Sequence, residues 1–221
     1  MMELTSDLLG RLDAVLRRTA PDALAELARV ARSILECVAA GANVSAVYHP
    51  LGFVSVPLAK TRDTMLRLHF WDPEVGSTPL PFHCHRWHLT GYVVCGHLQN
   101  KIIAATPAAE DLGDATRLRV YREVVSPRSD EFERTDELVR PELRSLEDVR
   151  AGQRYTMDAG LFHTTVNPTG QALVTVIMVN DRGQREMALG PVDGEPRYRL
   201  QRSPCQPSDV RARSARILES L

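Results

Sequence analysis

Lysine is nearly missing from this chain: among 27 basic residues only Lys60 and Lys101 are lysines. Arginine supplies the rest, which reflects the base composition of a GC-rich coding sequence and carries no functional signal. The basic residues are balanced by 28 acidic ones, for a net charge of −1 and a sequence pI near 6.7. There is no basic excess to draw the chain to nucleic acid or to an anionic membrane. Cysteine is scarce too. Cys37, Cys84, Cys95 and Cys205 have no paired spacing, and the first residues lack the basic-then-apolar pattern of a secretory signal. Reduced thiols and a cytoplasmic location are the expectation. No apolar run approaches the roughly 20 residues that span a bilayer, so no membrane partner is expected. A Gly-rich phosphate loop, a Gly-x-Ser-x-Gly elbow and a His-Glu-x-x-His pair are all absent from the sequence. Nucleotide-dependent and serine- or zincin-type hydrolytic chemistry therefore have no support. Nor is there an internal repeat or a low-complexity tract.

What is present is enough for one well-filled core: 221 residues, 43% hydrophobic and 25% charged. Leu8, Leu9, Leu12, Val15 and Leu16, then Leu24, Leu27, Val30, Ala31, Ile34 and Leu35, recur at three and four residues and predict two amphipathic helices within 4–39. Pro21 suits the first turn of the second. After Asn43 the texture changes to short strand-like runs at 44–48, 52–58, 65–71, 91–103, 117–125, 154–157, 161–166 and 172–180. Strands without intervening helices predict an all-β sandwich or barrel over 44–182, after a helical segment 1–43. Segment 126–150 is charged and reads as a loop. The extension 183–221 ends in a helix over 208–221 with Ser208 as its cap.

The chain's chemistry concentrates in Pro81-Phe-His-Cys-His-Arg-Trp-His-Leu-Thr-Gly-Tyr-Val-Val-Cys-Gly96. Side chains in a strand alternate with period two, so a strand here turns His83 and His85 to one face. The comparable third histidine is His163, which follows a Gly-bounded turn and opens an apolar strand. Two neighbouring imidazoles and one distant one make a facial nitrogen site with open positions, suited to divalent iron, zinc, copper, nickel or manganese.

These two stretches resemble the paired motifs of the cupin superfamily, whose fold is a double-stranded β-helix, or jelly roll. Gly152, Asp158-Ala-Gly160, His163 and Asn167 reproduce the spacing of its second motif, with Asp158 in the place of a proline. In the first motif His83, His85 and Gly96 fit, while Leu89 stands where many cupins carry a ligating Glu. The resemblance implies an all-β cupin fold with two N-terminal helices and one C-terminal helix. It also implies one metal held by His83, His85 and His163 without a carboxylate. Loss of the Glu makes the first motif similar to the thiol (cysteine) dioxygenase branch, which binds Fe(II) and oxidises small thiols with O2. Strand 172–180 lacks the Ser, His and Tyr that those enzymes carry there. A fainter resemblance is to zinc cupins that rearrange activated hydroxylamine–amino acid esters to form N–N bonds.

Around the histidines, three residues are candidates for catalysis. His88 is read as a fourth ligand, an acid/base group behind the metal or a rim residue, although parity puts it opposite His83 and His85. Arg67 shares a face with His69; facing inward, it would need an anionic partner such as a substrate carboxylate, and facing outward it would leave Leu66, Leu68 and Phe70 inside. Tyr92 either donates a hydrogen bond to bound O2 or substrate or fills the core. Trp71, Trp87, Phe82 and Phe162 read as an apolar wall, and Cys84 and Cys95 as structural. The expectation is an Fe(II)/O2 oxygenase acting on a small amino-acid-like or thiol substrate. The alternatives are a Zn(II) cupin catalysing a rearrangement and a cupin that binds a small molecule without turnover. Pairing through a sheet edge predicts a homodimer. Specificity is expected from loops 72–80 and 104–116.

Overall fold

A computed structural model of the chain describes residues 4–20, 22–72, 75, 78–108, 116–124, 130–181 and 183–221. Its first two elements are the helices that leucine spacing predicts, α1 (Ser6–Arg17) and α2 (Asp22–Ala39). Thr5 starts α1, its hydroxyl accepting the Leu8 N–H at 3.2 Å. Pro21, expected in the first turn of α2, lies outside the described residues. The end of α1 is held from a distance: the guanidinium of Arg154 donates to the carbonyls of Leu16 and Arg18, two of the acceptors a helix end leaves without intrahelical partners.

The described residues then form fourteen strands: β1 (Ala46–His49), β2 (Phe53–Lys60), β3 (Thr64–Trp71), β4 (Phe82–Cys84), β5 (Trp87–Cys95), β6 (His97–Pro107), β7 (Leu118–Val124), β8 (Asp130–Arg150), β9 (Arg154–Met157), β10 (Phe162–Val166), β11 (Leu173–Asp181), β12 (Met187–Gly190), β13 (Arg197–Leu200) and β14 (Ser203–Cys205). A last helix, α3, runs from Pro207 to Ser220. All pairings are antiparallel. One sheet has the order β14-β1-β2-β3-β11-β5-β9, the other β13-β8-β6-β10-β4-β12-β7, and β7 also pairs with β8, closing the second sheet on itself. Two antiparallel sheets with two helices before them and one after make a jelly roll of the expected class.

Several boundaries differ from the sequence reading. The run 91–103 is two strands, broken at Gly96, whose φ is +87° and where a Cβ would overlap the Ala172 carbonyl. The supposed loop 126–150 is corrected over its described part: Asp130–Arg150 is one 21-residue strand that pairs with β6, β7 and β13. Its alternation was hidden because residues 142–148 are exposed on both sides. Three short strands after residue 182 also join the sheets. Helix α3 starts before Ser208: Pro207 takes the first position, and Gln206 is its N-cap without a side-chain bond.

The main core lies between the helices and the outer face of the first sheet. There Leu12, Leu16, Leu27, Ile34 and Leu35 pack on Val56, Leu68, Phe70, Tyr92, Val94 and Val176. The inner face of that sheet is covered by the second sheet, so β11 is buried on both faces from Leu173 to Val179. This is why β11 reads as a continuous apolar run instead of an alternating one.

Candidate metal centre

Strand register assembles the three imidazoles. His163 on β10 is the cross-strand partner of His83 on β4, so both point the same way from adjacent strands. His85 stands one residue past the end of β4 and returns to that face. Its carbonyl accepts the Gly160 amide at 2.9 Å, which ties the turn before His163 to the first pair. The ring centroids form a triangle of 4.4, 4.6 and 5.0 Å, and one nitrogen from each ring lies within 4.8 Å of the others.

Burial holds His83 and His85 well below the ordinary imidazole value, with the His163 ring adding to the effect on both and His85 adding to it on His83. Burial likewise lowers His163, to about 4, against a bond from its Nδ1 to the Leu161 carbonyl at 3.0 Å that favours protonation. All three rings are neutral near pH 7, the form that ligates a metal. The Leu161 carbonyl fixes the His163 tautomer with its proton on Nδ1 and leaves Nε2 as the lone-pair nitrogen. His83 Nδ1 is buried without a partner, an orphan that a bound cation or a reoriented ring would relieve. A donor set of three neutral imidazoles suits a borderline divalent ion.

The triangle opens on a cavity of about 540 Å³ between the sheets. Phe82, Trp71, Leu89, Met157, Ile177 and Val179 line it with apolar surface, and Trp87 stacks on His85 at 5.0 Å. Leu89 faces this space from β5. Of the two readings of β3, the inward one holds: Arg67 and His69 face the cavity, while Leu66, Leu68 and Phe70 are buried under the helices on the other side. The specificity loops are described only in part, because 73–74, 76–77 and 109–115 lie outside the described residues.

Two candidate residues are not part of this space. His88 and Tyr92 share the face of β5 opposite Trp87 and Leu89. His88 pairs with Asp158 at 2.9 Å, and Tyr92 is buried among the helix leucines. The expectation of catalytic roles for them is corrected by strand alternation. Cys84 turns its sulfur to the Arg185 carbonyl at 3.8 Å and Cys95 to that of Ala172 at 3.8 Å.

The structure adds residues that the motifs do not mark. His49, Phe53 and His69 stack in a column with 4.3 Å between successive centroids. Tyr155 enters opposite Gly91, where a Cβ would strike its ring, and burial raises its hydroxyl above the ordinary value. Glu186 lines the cavity, with its carboxyl pushed up to about 7 by burial and by Glu123 and Asp130. Arg202 binds Asp130 at 2.6 and 2.8 Å. Of these, the sequence reading marked only His69, by the face it shares with Arg67 on β3.

No family model matches the sequence, and no curated protein does. Among solved structures the chain is similar to an uncharacterized conserved protein with a double-stranded beta-helix domain from Klebsiella pneumoniae (12% identity over 63% of this chain and 80% of that one, TM-score 0.34). It is similar to FeII HppE at 13% identity over 58% of this chain and 50% of that one, TM-score 0.33. A third likeness is to Cellulomonas parahominis L-ribose isomerase with L-ribose, at 16% identity over 73% and 84%, TM-score 0.36. The architecture given above rests on the strand pairing itself.

Proposed function

We propose that the chain is a mononuclear metal-dependent enzyme in which His83, His85 and His163 hold one divalent ion, Fe(II) foremost, and that it oxidises a small amino-acid-like or thiol substrate with O2. One observation carries this reading: three neutral, mutually close imidazole nitrogens open on a mostly apolar cavity. A bound iron would supply the redox chemistry and vacant positions for substrate and O2. The chain's own part is positional. The Leu161 carbonyl orients His163, Trp87 braces His85, and the apolar wall from Leu89 to Val179 excludes bulk water and strengthens every polar contact inside. Leu89 leaves the donor set without a carboxylate. The inward positions of β11 hold Thr175, Ile177 and Val179, so thiol oxidation here would proceed without an acid/base group on that strand.

Protein loaded separately with Fe(II), Zn(II) and Mn(II) should bind one equivalent, and the iron form should consume O2 with a member of a panel of small thiols and amino acids. Iron-loaded protein that takes up no more O2 than the metal-free form would contradict the oxygenase reading. Stoichiometric zinc with turnover in the absence of O2 would support a Lewis-acid rearrangement in its place.

A further inference from the structure

Among the described residues Arg67 forms no ion pair, although it is partly buried between the sheets. Among the described residues its polar partner is the Met65 sulfur, 2.9 Å from Nε, and its guanidinium carbon lies 5.9 Å from the centroid of the Trp87 ring. The carboxylate of Asp130 is taken by Arg202. Glu186 is not within ion-pair distance and holds its proton into the neutral range. Arg202 adds further positive potential, and burial drives Arg67 down to about 10. Two residues along the same inward face stands His69, 6% exposed, whose Nε2 is buried without a partner. A partly buried guanidinium without an anion and a buried ring nitrogen without an acceptor are each unfavourable by themselves. An oxyanion on this face would satisfy the guanidinium, and a turn of the His69 ring toward the cavity would bring its nitrogen to the same anion.

We propose that Arg67 and His69 form an oxyanion subsite, and that the natural substrate is a small anion whose acid group rests there while its other end reaches the three histidines. This rests on the cavity being the substrate's site, and it names the substrate class. The subsite lies close to the metal ligands, since Trp87 neighbours both Arg67 and His85. A cavity of about 540 Å³ accommodates an acid of a few carbons together with a reacting group. Arginine's planar fork matches a carboxylate with two parallel bonds, and His69 supplies a third donor to a phosphonate.

Both tryptophans of the chain, Trp71 and Trp87, line this cavity, so intrinsic fluorescence and calorimetry report binding without turnover. The full-length protein would be titrated with propionate, methylphosphonate, propionamide and propylammonium. Propionate or methylphosphonate should bind at least about tenfold more tightly than the two uncharged or cationic probes, the increment of a charge-assisted hydrogen bond. Comparing the two anions identifies the acid group. Arg67→Met should abolish that preference, Arg67→Lys should retain part of it, and His69→Phe should weaken it several-fold. His163→Ala, which removes a metal ligand, should leave propionate binding intact, so failure of the metal reading and failure of the anion reading are separable. Equal binding of propionate and propionamide, or undiminished propionate binding in folded Arg67→Met protein, would overturn the proposal.

Discussion

Gly96 joins β5, which carries Trp87 and Leu89, to β6, which pairs with the strand of His163. Replacing it with alanine introduces two separable penalties. Its φ of +87° lies in the left-handed region, which raises the energy of an alanine by about 1–2 kcal/mol. The new Cβ would also overlap backbone, the Ala172 carbonyl and the Leu173 Cα; backbone cannot rotate aside as a side chain can, so overpacking adds about 1–3 kcal/mol. Gly152 isolates the first penalty, because its φ is +83° and an added Cβ would meet nothing within 4 Å. Urea unfolding of the two single variants should therefore show Gly152→Ala destabilised by about 1–2 kcal/mol and Gly96→Ala by about 2–5 kcal/mol. Equal losses in the two variants would refute the close approach of β11 to the β5–β6 turn.

Arg154→Ala should destabilise the fold by about 1–2 kcal/mol, through loss of two bonds to the end of α1, and should raise amide exchange in α1 before the sheets; unchanged exchange there would contradict the tether. His49 and His69 are held well below the ordinary imidazole value by burial. Below about pH 6.5 the unfolded chain binds protons that these folded rings refuse, so metal-free protein should lose stability as pH falls, and His69→Phe should flatten that dependence. A profile identical in the variant would count against a buried neutral His69. Among the described residues, 141–150 of β8 form no strand pairing on the edge opposite β6, and they expose Leu143 at 62% and Leu146 at 47%. Sedimentation at micromolar concentration should show a dimer that Leu143→Asp with Leu146→Asp converts to monomer, whereas a wild-type monomer would contradict pairing through this edge.

Much of the fold was legible wherever one face of an element is dry and the other wet. The leucine spacing of α1 and α2 is of that kind, and so is the strand of His163 with its Gly-bounded turn. Legibility failed where that contrast disappears. Strand β3 has no exposed residue on either face, so sequence alone left the direction of Arg67 and His69 open; the choice depends on helices arriving from the other end of the chain. Strand β8 is wet on both faces through much of its C-terminal half, and its charges imitate a loop. Strands β12 to β14 are three or four residues long, among Pro191, Gly194, Pro196 and Pro204, too short for periodicity to register. In the cavity, the histidine pair announced itself by spacing. Glu186, Arg202 and His49 arrive from distant strand ends with no shared motif, and only tertiary pairing brings them to one space.

The central claim is that one divalent metal is held by His83, His85 and His163 with His88 outside its coordination. Metal content of purified protein loaded with Fe(II) or Zn(II) tests it most directly, measured beside His163→Ala and His88→Ala. One equivalent is expected in the wild type and in His88→Ala, and none retained through desalting in His163→Ala. Metal lost from His88→Ala but kept by His163→Ala would contradict it.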